Sequence, residues 1–227
     1  ETARPDVRPD TPAPPTLVFG DRKLTVSWVP PRTEGSPIET YTLEISPAPP
    51  SGIVQKTGVT GTSIEWTGLE NGASYQVRVR AHNRAPEPSG FSPWSAAMVP
   101  AAPPAAANAP TTKLLSPVAS QAQVEVAWNA PANNGDAISG YELRVKQGSS
   151  VVKTVPVAAG QTTQAVVVDT STTNYTFDVR AKNKAGWGEY SPASAPRRGV
   201  TAPGAPTGVA ASEGDNRVGV TWTAGAA

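Results

Sequence analysis

Ser74 to Asn83 reads SYQVRVRAHN, and Asn174 to Asn183 reads NYTFDVRAKN. The two decapeptides stand one hundred positions apart, and the same offset relates Trp28 to Trp128, Ile38 to Ile138, Tyr41 to Tyr141 and Asn83 to Asn183. A third start, VGVTW, puts Trp222 in the context of the first two tryptophans. A repeat of this length in 227 residues leaves room for two ordinary domains and the opening of another. Whatever one unit folds into, its neighbour must fold into as well.

Within each unit apolar and polar residues alternate at period two, the mark of a half-buried strand. Leu24, Val26 and Trp28 share a face, as do Tyr41, Leu43 and Ile45, and then Tyr75, Val77, Val79 and Ala81. The second unit repeats this with Val124, Val126 and Trp128, with Tyr141, Leu143 and Val145, and with Tyr175, Phe177, Val179 and Ala181. No helical period is sustained. The chain carries 25 prolines and 20 glycines, which break it into short strands and turns. These signals predict an all-β chain of antiparallel β-sandwiches. Proline-rich stretches punctuate it and predict semi-rigid linkers. The expected organisation is a linker at 1–9, a domain at 10–101, a linker at 102–109, a second domain at 110–200, and at 201–227 a linker with the first two strands of a truncated third domain. The start at Glu1 and the stop after VTWTAGAA read as a piece of a longer protein.

The units resemble fibronectin type III domains, immunoglobulin-like sandwiches here set in tandem. The resemblance rests on a second-strand Trp (Trp28, Trp128, Trp222), a third-strand Tyr after a Pro/Gly-rich loop (Tyr41, Tyr141), and LENGASYQVRVRAHN, which is similar to the family's E–F turn and F strand. PANNGDAISGY and AKNKAGWGEYS are similar to tandem copies in large surface or secreted proteins of actinobacteria. The resemblance implies a structural core of Trp28, Tyr41, Leu69, Tyr75, Trp128, Tyr141 and Tyr175. It makes Tyr75 and Tyr175 corner residues whose hydroxyls bond back to the preceding turn. The second unit departs at Asp169, which stands where the first has Leu69. Val168 is expected to fill the core there through a shifted turn.

Little in the chain suits catalysis. There is no cysteine, which removes disulfides, thiolate zinc sites and thiol nucleophiles. The single histidine, His82, alternates outward on a predicted strand, and no nucleophile motif accompanies it. Asn133-Asn134-Gly135-Asp136 brings one carboxylate where calcium needs six to eight oxygens, and turn chemistry accounts for it. No phosphate loop precedes a helix. A net charge of +1 and the absence of a basic face with interleaved aromatics argue against nucleic acid. No apolar run approaches the roughly 20 residues that cross a bilayer. The expectation is a chain with no catalytic, cofactor or metal residues.

Phe91-Ser-Pro-Trp94-Ser is similar to the Trp-Ser-x-Trp-Ser box of cytokine-receptor domains, with Phe in place of the first Trp. There the aromatics intercalate with F-strand arginines; here Arg78 and Arg80 would serve. The second unit keeps Tyr190-Ser-Pro-Ala-Ser, with Arg180 opposite and Trp187 nearby. Two readings stand side by side. One is a ladder that holds the last strand; the other is an exposed aromatic and basic surface that binds protein or polysaccharide. The leading expectation is a non-catalytic spacer and interaction scaffold in a larger extracellular or cell-envelope protein. The alternative is a binding module of a secreted carbohydrate-active enzyme or adhesin, using the B–C loops (Arg32 to Pro37, Ala132 to Ala137) and F–G loops (Arg84 to Phe91, Lys184 to Tyr190). Residues 204–227 are expected to pair with a neighbouring domain or chain, since two strands alone are marginal.

Overall fold

The computed structural model describes residues 6–118, 121–170, 173–200 and 205–225. Residues 1–5 of the expected first linker, and 201–204 and 226–227 of the expected third copy, lie outside the described residues. The chain falls into two units, one built on residues up to 105 with 132–139 and 182–188, the other on 106–131, 140–181 and 189 onward. Every regular element among the described residues is a β-strand.

The first sandwich is made of β1 (Thr16–Gly20), β2 (Lys23–Ser27), β3 (Thr40–Ser46), β4 (Gln55–Val59), β5 (Ser63–Thr67) and β6 (Gln76–His82). They form two antiparallel sheets, ordered β1-β2-β5 and β4-β3-β6. Period two sets the register. Leu24 lies between Phe19 and Trp66, and Val26 between Leu17 and Ile64, so one face of the first sheet is wholly apolar. Tyr41, Leu43 and Ile45 pair with Ala81, Val79 and Val77 to make the facing surface. The two faces close on one core, in which Trp28 stands edge-on to Tyr41 with ring centroids 5.2 Å apart. The Glu70 N–H donates to the Tyr75 hydroxyl oxygen at 3.1 Å and pins the turn before β6.

The second sandwich repeats the plan with β7 (Thr111–Val118), β8 (Gln121–Ala127), β9 (Gly140–Gln147), β10 (Ser150–Ala158), β11 (Thr163–Val168), β12 (Asn174–Asn183), β13 (Gly186–Trp187) and β14 (Arg197–Arg198). Its sheets are β11-β8-β7 and β10-β9-β12-β13, with β14 also on β12. Trp128 meets Tyr141 edge-on at 5.4 Å. The turn shift at Asp169 is visible: Val168 is buried, and the Tyr175 hydroxyl donates to the Asp169 carbonyl at 3.2 Å instead of accepting from a backbone N–H.

β15 (Thr207–Gly214) and β16 (Arg217–Thr223) form a two-stranded hairpin and pair with no other strand among the described residues. Val218, Val220 and Trp222 keep the spacing of Leu24, Val26 and Trp28 but are exposed. The face they share is the one that a second sheet covers in each sandwich.

The segments leading into the sandwiches are not free spacers along their described length. Pro9, Pro12 and Pro15 are buried at intervals of three, and so are Pro104, Ala107 and Pro110. Three residues per turn is the period of an extended polyproline helix, which turns one side to the sandwich and the others to solvent. The Asp10 N–H donates to the Arg32 carbonyl, and the Ala105 N–H to that of Ala132, each at 2.9 Å. The repeated Asn of the decapeptides completes the attachment. Asn83 Nδ2 donates to the Val7 carbonyl at 2.8 Å and the Ser36 carbonyl at 3.2 Å. Asn183 Nδ2 donates to the carbonyls of Ala102 and Asn133, both at 2.8 Å. The B–C and F–G loops are thus tied to the incoming chain through one amide in each sandwich.

Candidate functional site

The outward face of the second sheet carries both the aromatics and the arginines. In the first sandwich the segment facing β6 is not a β-strand. Its ladder role falls to Ser89, Ser92 and Ser95, every third residue and all buried. Their backbone N–H groups donate to the carbonyls of Ala81, Val79 and Val77 at 2.8–2.9 Å. Their hydroxyls accept from the N–H groups of those same three residues at 2.9–3.1 Å. Each hydroxyl then donates to a carbonyl one residue on, at Gly90, Pro93 and Ala96. One serine therefore satisfies a donor and an acceptor of β6, and only every third residue has to face the strand. Pro93, which has no N–H to give a β-ladder, sits between them without loss.

The same period brings Phe91 and Trp94 outward above β6. The Arg78 guanidinium lies 4.4 Å from the Phe91 ring centroid and 4.7 Å from that of Trp94, and Arg80 lies 4.7 Å from Phe91. Arg78 Nε also donates to Glu44 at 2.7 Å, and Gln55 holds the other oxygen of that carboxylate at 2.9 Å. His82, next along the face, is 2.8 Å from the Thr42 hydroxyl through Nε2. Burial, and then the charge of Arg80, lower its pKa.

In the second sandwich Ser191 and Ser194 act in the same way on Val179 and Phe177. Gly188 takes the third position, and β13 pairs with β12 instead. One ring, Tyr190, holds two guanidiniums: Arg144 at 3.3 Å and Arg180 at 4.5 Å from its centroid. Its hydroxyl donates to Glu142, which also accepts from Arg180 Nε at 2.9 Å. Arg144 grips Asp178 with two hydrogen bonds of 2.7 Å, and Lys146 approaches the same carboxylate at 3.4 Å. Lys182 Nζ stands 5.4 Å from the Trp187 ring. Glu44, Glu142, Arg144, Asp178 and the serines were not singled out from the sequence. The signal was present as Ser at every third position, 89/92/95 and 191/194.

Two expected results follow. Ser92→Ala leaves the buried Val79 N–H without an acceptor, which costs about 1–3 kcal/mol and shifts the denaturant midpoint of the first sandwich. The second concerns acid. The hydrogen bond from Tyr190, then those from Arg180, lower the Glu142 pKa below its ordinary 4.5. A carboxylate depressed in the fold contributes stability that is complete above its unfolded pKa and is lost as pH falls through the folded value. The second sandwich therefore weakens below pH 4.5, and Tyr190→Phe flattens that slope in melts taken across the acid range.

Asn133 to Asp136 forms a turn: Asn134 has φ 52°, Gly135 N–H donates to Asn133 Oδ1 at 3.1 Å, and Asp136 accepts from the Lys184 N–H at 2.9 Å. Among the described residues no cluster of three or more His, Asp or Glu could hold a metal ion, and no helix is long and apolar enough to cross a membrane.

Comparison with known proteins points one way. The fibronectin type III domain family matches residues 12–97 and 108–197. Chitinase A1 of Niallia circulans is 33% identical over 132 residues, covering 57% of this chain and 18% of that protein. Ephrin type-A receptor 7 of Gallus gallus is 27% identical over 200 residues, covering 79% of this chain and 20% of that one. The chain thus spans about a fifth of the length of these relatives. A crystal structure of the chicken CNTN1 FN1–FN3 domains matches 84% of this chain and 69% of its own at 23% identity, with a TM-score of 0.44.

Proposed function

The chain belongs to the fibronectin type III family, and on that premise we propose that it is a non-catalytic spacer and interaction scaffold within a larger extracellular or cell-envelope protein. The observation that carries this is the state of the charged face. Arg78, Arg144 and Arg180 are each held by a carboxylate and stacked on a ring, so the groups best suited to grip a ligand are already engaged with one another. A closed network of this kind fixes the last segment of each sandwich. Each unit then has its own core and its own tied leading segment, and reach grows with copy number.

A second reading is favoured by one observation. Trp94 and Trp187 keep 37% and 38% of their surface exposed, enough of a ring face to stack on a sugar or a protein. A relative named as a chitinase makes insoluble polysaccharide the first class to test. In co-sedimentation with insoluble polysaccharides and bacterial cell walls, the scaffold reading expects the chain to stay in solution, as do Trp94→Ala and Trp187→Ala. Saturable pelleting that is lost in one of these variants, with the variant still folded, overturns it in favour of a binding module.

A further inference from the structure

The charged faces of the two sandwiches differ at one rung. Glu44 and Arg78 stand opposite each other on β3 and β6, and Arg144 and Asp178 hold the same places in the second sandwich with the charges exchanged. The next rung breaks the pattern. Glu142 accepts from Arg180 Nε at 2.9 Å, lies 2.7 Å from its Nη2, and also accepts from the Tyr190 hydroxyl. One hundred positions earlier, Arg80 stands opposite Thr42, which has no carboxylate. Phe91, the ring before Ser92, has no hydroxyl, whereas Tyr190, the ring before Ser191, has one. The first sandwich keeps the arginine and lacks both oxygens.

No neighbour replaces them. Arg80 makes no hydrogen bond or ion pair among the described residues, and its Nε is enclosed without an acceptor. Only Nε is closed off in this way, so the terminal nitrogens are open. Glu44 is held by Arg78 and Gln55, Glu39 lies against Arg84 at 3.2 Å, and the Thr42 hydroxyl is taken up with His82. The Phe91 ring steadies the Arg80 guanidinium from one side. The charge is felt next door, since burial and then Arg80 lower the His82 pKa. A fixed guanidinium with free N–H groups matches the two oxygens of a carboxylate.

We propose that Arg80 is a docking point for a carboxylate side chain, a glutamate or aspartate presented by a partner protein. The occupant is indicated by the chain itself: the second sandwich fills the same position from within, with the side chain of Glu142. In the first, the carboxylate comes from outside and lies across the terminal nitrogens of Arg80, beside the Phe91 ring. An open sheet face does not enclose a small free acid, so the carboxylate is carried by a larger surface. Acidic sugars suit the place less well, because Phe91 has no polar atom to offer their hydroxyls and the Thr42 hydroxyl is already engaged. The inference goes beyond the scaffold reading: Arg80 is an arginine of this face that the closed network leaves without a carboxylate.

The test is a titration of the full chain at low ionic strength with acetyl-tetraglutamate amide, with acetyl-tetraglutamine amide as the uncharged control. NMR follows the arginine Nε–H signals and the backbone amides of Thr42 and Phe91. The expected result is a saturable shift of the Arg80 signal with the acidic peptide alone, while the Arg180 signal stays in place. Thr42→Glu combined with Phe91→Tyr supplies both oxygens from within and should abolish the response. Arg80→Lys keeps the charge but not the fork, and should weaken binding about tenfold as read from the Thr42 and Phe91 amides. Absence of saturation, an equal response to the glutamine peptide, or unchanged affinity in folded Arg80→Lys overturns the site. Methyl glucuronide that moves the same signals where the acidic peptide does not overturns the assignment to a protein partner.

Discussion

Trp28→Ala removes the melting transition of the first sandwich and leaves that of the second at its own temperature. Trp28 is 6% exposed, shares its face with Leu24 and Val26, and stands edge-on to Tyr41. Truncating a buried aromatic to Ala costs about 3–5 kcal/mol, the transfer of the ring plus the hole it leaves. A domain of this size has only about 5–15 kcal/mol in total, and each kcal/mol moves its midpoint by roughly 4–8 °C. The core around Trp28 is drawn wholly from residues between Leu17 and Met98, so the loss is confined to one unit. Trp128→Ala should give the mirror result. Calorimetry of the two variants decides the matter, and a first transition unchanged in Trp28→Ala would sink the assignment.

Arg144→Ala is expected to cost the second sandwich about 3 kcal/mol, the lower end for a buried pair deprived of one partner. Asp178 is 3% exposed, and Arg144 supplies its two shortest hydrogen bonds. Lys146 remains at 3.4 Å, which holds the loss to that lower end. Arg144→Lys keeps the charge but not the fork or the flat stacking surface on Tyr190, so it recovers only part of the loss. The double replacement Arg144→Leu with Asp178→Leu should cost less than Arg144→Ala, because no carboxylate is then left buried. Urea denaturation of these three variants beside the unsubstituted chain measures the differences. A double variant less stable than Arg144→Ala would refute this account.

The sandwich architecture was legible because its rule is local. Alternation in YTLEI and YQVRVRA places inward residues without knowledge of the partner strand, and the hundred-residue offset says it twice. The ladder was legible in its aromatics and in Arg78, Arg80 and Arg180, but not in its carboxylates or in Arg144. Arg144 and Glu142 read as ordinary outward residues of a strand, and their partners come from Asp178 and Tyr190, more than thirty residues away. The serines were hidden by their period, since Ser at every third position matches neither helix nor strand. The linkers show a different limit. Proline content describes a stiff extended chain, but whether that chain stands free or lies against a body depends on Asn83 and Asn183.

The serine segment has one more consequence. Tandem domains with near-identical strands are at risk of pairing with the wrong copy, because an outermost strand offers its unused N–H and C=O groups to any neighbour. Along β6 those groups are taken at Val77, Val79 and Ala81 by a chain that advances three residues for every two of the strand. A chain with that period cannot itself serve as a template for the next strand. The sheet is thus terminated rather than merely covered. Copies can then be strung close together at high local concentration with no sticky edge on this side through which they could fuse into an aggregate.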